Sequence, residues 1–272
     1  MEVNTNTESL KARSVLKTDN LSIGYSLKKS QKIIAENIGL NLIEGSFIGL
    51  VGINGSGKST LLRSLTGLQE VLRGSIYLEG ENIKKLSSEI LSKKISVVLT
   101  GQAISKNLSV SELVALGRQP YTNWLGKLRE EDIEIVKNSL KATELYELKN
   151  EKCHTLSDGQ LQRVLIARAL AQDTEIIILD EPTTHLDLHH KASILTLLKE
   201  ICKTTQKTIL FSTHDIELVL PLCDQIIVMH KRQALMDTPE NLISDGTFEA
   251  IFPEDIIGFD APSKRFFLKN KN

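Results

Sequence analysis

Residues 47–67 read FIGLVGINGSGKSTLLRSLTG, and this stretch decides the fold. Phe47 to Val51 form a short apolar run closing on Gly52, the pattern of a strand buried on both faces. From Lys58 onward the chain reads as a helix. Between them Gly52, Gly57, Lys58 and Ser59 fit the spacing G-x-x-x-x-G-K-[ST] in its strand–loop–helix setting. Glycines there let backbone amides turn inward around phosphate oxygens, and the helix N-terminus adds its dipole. The candidate nucleotide-binding residues are therefore Asn54, Gly55, Ser56, Gly57, Lys58, Ser59 and Thr60. Lys58 has the reach for the β- and γ-phosphates, and the Ser59 hydroxyl can ligate Mg²⁺.

Two further strand ends supply what such a site needs. In EIIILD (175–180) a buried strand ends on Asp180, placed to hold Mg²⁺, and Glu181 follows it. One residue further on, Glu181 points elsewhere and can polarise an attacking water. KTILFST (207–213) is another such strand, and His214 comes directly after it. Open α/β sheets bind ligands at the carboxyl ends of their strands, so Gly52, Asp180 and His214 are expected on one sheet edge.

Around these strands the pattern alternates between β and α, which argues for an α/β domain with a largely parallel sheet. LSIGYSL (21–27), SIYLEG (75–80), KISVVLT (94–100) and DQIIVM (224–229) are further strands. A helical block interrupts them. It opens with VSELVALGRQ, read as a helix ending at Gly117, continues with REEDIEIVKNSLKATEL, and closes with DGQLQRVLIARALA. The polar first residues lack the apolar segment of a secretory signal, and the expectation is a mobile tail on a cytosolic protein. No apolar run approaches the roughly 20 residues of a membrane helix. A formal net charge of -1 and the lack of a basic stripe argue against nucleic acid as partner. Cys153, Cys202 and Cys223 are widely spaced and fit reduced thiols in a core rather than a disulfide or zinc framework.

The helix start at 157 has no place in this account. Ser157 and Gln160 form the S-x-x-Q capping box, with Gly159 between them, so the turn presents a hydroxyl and free amides to an anion. LSDGQ (156–160) resembles the L-S-G-G-Q signature of ABC transporter nucleotide-binding subunits, with Asp158 as the one departure. The resemblance spans roughly 15–250, with the motifs in the family's order. It implies a P-loop NTPase core with a mostly parallel sheet, an antiparallel β subdomain and an inserted α-helical subdomain. By that comparison residues 1–14 are a tail, 15–250 the ATPase domain (core 15–100 and 171–250, helical subdomain 101–170), and 251–272 an appendage.

The resemblance also implies roles and partners. Glu181 would be the catalytic carboxylate and His214 the switch histidine. Tyr25 would stack on adenine, and Asp187 in THLD would lie in the D-loop at a dimer interface. A Mg²⁺-ligating glutamine would follow the strand KISVVLT; ungapped comparison puts Thr100 or Gly101 at its position, and Gln102 fits it with a small shift. Ser157, Gly159 and Gln160 of one copy would cover ATP held by a second, and Asp158 is expected to face away from the γ-phosphate. The run V-x-E-L-V-A-L-G-R-x-P is similar to the ATPases of importers for iron-siderophore complexes, haem and cobalamin. It implies separate integral membrane permease subunits, an extracytoplasmic substrate-binding protein, and a place on the cytoplasmic face of the membrane. The alternative is a soluble ABC-type ATPase acting on DNA, ribosomes or protein complexes. Against it stand the single P-loop and the lack of a long coiled coil.

Overall fold

A computed structural model describes residues 13–27, 30–100, 105, 107–252 and 256–269. Along these residues the strands are β1 (Ser14–Leu27), β2 (Ser30–Ile38), β3 (Asn41–Ile43), β4 (Phe47–Val51), β5 (Arg73–Leu78), β6 (Glu81–Asn82) and β7 (Ile95–Val98). They continue as β8 (Ile176–Leu179), β9 (Thr208–Ser212), β10 (Gln225–His230), β11 (Gln233–Asp237), β12 (Ile257–Asp260) and β13 (Arg265–Leu268). The helices are α1 (Lys58–Leu65), α2 (Ser88–Lys94), α3 (Val110–Ala115), α4 (Glu130–Ala142), α5 (Asp158–Ala171), α6 (Leu188–Thr205), α7 (Ile216–Val219), α8 (Pro239–Ser244) and α9 (Thr247–Ile251).

Six strands make the central sheet in the order β11-β10-β4-β9-β8-β7. All its pairings are parallel except β10 with β11. Strands β4, β8 and β9 are buried at every position, as expected for a sheet covered on both faces. The strands LSIGYSL and SIYLEG lie in a separate antiparallel sheet, β2-β1-β5-β6, with β3 also paired to β1. Its first strand begins at Ser14, one residue inside the segment expected to be a tail, because Ser14 pairs with Ile43.

Helices α3, α4 and α5 pack around their own small core of Val110, Leu113, Val114, Val136, Leu140 and Val164. The first of them stops earlier than its sequence suggests. It ends at Ala115, and Leu116–Tyr121 continues as a 3₁₀ turn holding Pro120. Proline removes a helical N–H and clashes with the preceding turn. A Cβ on Gly117 would lie 2.3 Å from the Arg168 carbonyl, so only glycine lets this turn approach α5.

The three cysteines are buried and unpaired. Burial pushes the Cys202 thiol up to about 11 and the Cys223 thiol higher still, as suits small core residues. At the end of the described chain β12 and β13 form an antiparallel hairpin. Among the described residues no helix is long and apolar enough to cross a membrane.

Candidate nucleotide site

Sheet order brings the expected residues together. Because β9 lies between β4 and β8, the ends leading to Gly52, His214 and Asp180 are neighbours. The register pairs Leu50 with Ser212 and Leu179 with Phe211, which sets Asp180 beside Ser212. The loop after β4 turns through Gly52, Gly55 and Gly57, all at positive φ. Gly57 (φ 104°) is the cap residue before α1, and a Cβ there would lie 2.3 Å from Ile34 Cγ2. Both conformation and space therefore demand glycine at this point.

Lys58 is buried. Its ammonium donates to the carbonyl of Gly52 at 2.9 Å and to that of Ile53 at 3.4 Å, with His214 Nδ1 3.3 Å away. Burial pushes its pKa down, and the Glu181 and Asp180 carboxylates pull it back up. Asp180, 2% exposed, accepts hydrogen bonds on Oδ1 from Ser59 Oγ (3.0 Å) and Ser212 Oγ (2.8 Å). Thr100 Oγ1 donates to its other oxygen at 3.4 Å. Carboxylate and hydroxyl oxygens converging below a phosphate loop are the hard donors Mg²⁺ prefers, so the residues present fit that ion.

Glu181 takes a different direction from Asp180. Its backbone is left-handed (φ 49°), its N–H donates to Ser212 Oγ, and its Oε1 lies 2.5 Å from His214 Nε2. Thr184 Oγ1 donates to its Oε2 at 3.1 Å. Strained backbone held by such contacts recurs at functional sites. Glu181, His214, Asn54, Thr184 and Lys191 line a cleft of about 410 Å³. Tyr25 stands half-exposed at the margin, its hydroxyl 3.1 Å from Thr60 Oγ1. Gly55 is open around its Cα, whereas Ser56 Oγ is buried with no hydrogen-bond partner.

Sequence reasoning missed Ser212, which ties Asp180 to Glu181. Only its place as the last residue of the strand that leads to His214 could have pointed to it. Thr184 was likewise unread, whereas Thr100 was read only as a position for the Mg²⁺-ligating glutamine, not as a donor to Asp180. Gln102 lies outside the described residues.

The signature residues stand apart from this cluster. Ser157 and Gln160 bond each other reciprocally, Gln160 N to Ser157 Oγ at 3.3 Å and Ser157 N to Gln160 Oε1 at 3.0 Å. Asp158 is exposed in the first turn of α5. A Cβ on Gly159 would lie 3.1 Å from the His190 ring. Asp187 caps α6, accepting from His190 N at 2.9 Å, and that N–H with the adjacent ring holds its carboxyl below the usual range. The helix start and the D-loop thus form one exposed surface within the protomer.

Known proteins resemble this chain in sequence and fold. The ABC transporter family profile matches residues 35–184. The chain is 37% identical to the achromobactin transport ATP-binding protein CbrD of Dickeya dadantii (strain 3937), over 86% of each chain. It is 36% identical to the petrobactin import ATP-binding protein FpuD of Bacillus anthracis, over 88% of this chain and 87% of the relative. Among solved structures it resembles the ATP-binding cassette MJ0796, captured as a dimer in a post-hydrolysis state bound to ADP and Pi. The TM-score is 0.69 at 30% identity, covering 82% of this chain and 98% of that one.

Proposed function

This chain belongs to the ABC transporter ATP-binding proteins and is an ATPase, and we propose that it powers import of an iron-siderophore type of cargo. Haem and cobalamin are the neighbouring cargo classes. Transport runs through separate permease subunits, with an extracytoplasmic binding protein delivering cargo and this chain on the cytoplasmic face. One observation carries the reading. Lys58, Asp180, Glu181 and His214 converge on one sheet edge, whereas Ser157 is exposed at the start of α5, bonded to Gln160 and to none of them.

The γ-phosphate of ATP replaces carbonyl oxygens as the partner of the Lys58 ammonium, and P-loop amides cradle the remaining oxygens. Tyr25 packs against the adenine. Ser59 and Asp180 would hold Mg²⁺, which supplies charge neutralisation to the phosphates. Glu181 accepts a proton from water as that water's oxygen attacks the γ-phosphorus and the bond to ADP breaks. His214 orients Glu181 and the γ-phosphate together. Ser157, Gly159 and Gln160 of a second copy close over the same ATP, with that copy's Asp187 beside them, so hydrolysis requires the dimer. Gln102 belongs to this set as the further Mg²⁺ ligand.

The test is purification of tagged Glu181→Gln protein from detergent-solubilised membranes with ATP and Mg²⁺. The expected companion is a polytopic permease in stoichiometric amount, encoded with a siderophore-binding protein. Recovery with ribosomal or DNA-repair proteins alone would overturn the transport reading and leave the ATPase standing.

A further inference from the structure

The backbone after His214 enters α7, a single turn of four residues. One turn has no stability of its own, because nucleation consumes more order than its hydrogen bonds return. Its position is therefore imposed from outside. Ile216, Val219 and Leu220 anchor its inner side in the main core. Asp215 is held from α6 by Lys191, 3.0 Å away. The outer side is held by Glu217, whose Oε1 accepts the backbone N–H of Phe266 at 2.8 Å.

Phe266 lies on β13, in the terminal hairpin. A lone two-stranded hairpin is marginal in water, and this one is seated by its aromatic rings. Phe266 meets Phe259 at 4.9 Å and Phe252 at 5.2 Å between centroids, and Phe259 meets Phe248 at 5.4 Å. Phe248 and Phe259 belong to the same core cluster as Ile216 and Val219. The hairpin thus rests on the floor that carries α7 and grips α7 through one charged acceptor. Any shift of that turn reaches His214 directly, since Ile216 N donates to the His214 carbonyl at 3.1 Å.

We propose that the C-terminal hairpin positions the switch histidine, with Glu217 as the positioning residue through which it acts. Glu217 is not among the residues that line the cleft beside Glu181 and His214. The proposal rests on the role given above to His214, and it assigns a purpose to the appendage that the transport reading leaves unused.

The experiment compares steady-state ATP hydrolysis by the full chain with Glu217→Gln, which keeps the acceptor oxygen, and Glu217→Met, which keeps length without it. His214→Ala is the reference. Glu217→Met is expected to lower kcat about tenfold, within what a displacement of about 1 Å costs a reacting geometry. KM for ATP stays unchanged, and Glu217→Gln restores kcat. His214→Ala should fall about 100-fold. Equal kcat in the Met and Gln variants, whether both normal or both impaired, overturns the positioning role while the histidine reading stands. A rise in KM without loss of kcat overturns it too. Wild-type turnover by His214→Ala would instead sink the histidine reading itself. Amide exchange at 216–219, faster in Glu217→Met than in Glu217→Gln, gives the same comparison should the Met variant prove unstable.

Discussion

Lys58 and Arg118 are two equally buried cations, 5% and 4% exposed, and they could hardly be held more differently. Arg118, in the helical block, donates from Nε to Asp132 at 2.9 Å and from a terminal nitrogen to the Ala171 carbonyl at 2.9 Å. Its guanidinium also lies over the Tyr121 ring at 4.0 Å. Asp132 in turn accepts the N–H of Arg129. Burial pushes the Asp132 carboxyl upward, but these donors outweigh it and hold the group below the usual range. The charge of Lys58 instead rests on two neutral carbonyls beside the His214 ring nitrogen, with no carboxylate in direct contact among the described residues. Depth of burial does not separate scaffold from site. What separates them is whether the charge has a permanent counter-charge or only replaceable partners.

The largest effect that sharpens this contrast belongs to Lys58→Met. Hydrolysis should fall by about 10³-fold, yet the ligand-free protein should melt at a higher temperature. The sign follows from the lowered pKa. Below its folded value Lys58 is charged at a cost to the fold, and that cost is relieved as pH rises toward the ordinary 10.5. A lower melting temperature in the variant would break the comparison.

Asp132→Asn should do the reverse. Removing one partner of a buried pair costs about 3–5 kcal/mol, measurable by urea unfolding, while each folded molecule keeps its hydrolysis. Because the folded carboxyl pKa is depressed, the pair's stability is complete above about pH 3.9. It is lost as pH falls through the lower folded value, so acid unfolding should lose this component in Asp132→Asn.

ATP near 100 times its Kd should stabilise the wild type by about 2.7 kcal/mol. A thermal shift should show this in Asp132→Asn but much less in Lys58→Met. Smaller still is Ser157→Ala, which should cost about 1 kcal/mol through the lost cap. Asp158→Gly should leave ATP-driven dimerisation unchanged by light scattering, and marked tightening would place that carboxylate against the phosphate.

Arg118 shows how far the sequence could be read. The run L-G-R-x-P pointed to an importer subfamily, and its chemistry was hidden. Gly117 makes room for the Arg168 carbonyl and Arg118 closes onto Asp132, partners fifty-one and fourteen residues distant. Ser212 was hidden for a related reason, since a serine in a buried strand carries no mark of the carboxylate that will lie beside it.

Where the physics is local, sequence alone determined the outcome. A phosphate loop needs glycines at positive φ, a helix start needs Ser157 with Gln160 three residues on, and both are written within a few neighbouring positions. Sequence placed Gly52, Asp180 and His214 on one edge, and tertiary structure decided which groups bond one another. Lys58 reaches His214 across 156 residues, and Glu217 reaches Phe266 across 49. Those meetings depend on β9 entering between β4 and β8, and on a hairpin seated by four phenylalanines. Strand order and ring packing are settled by burial of the whole apolar core, a sum over the chain that no single segment encodes.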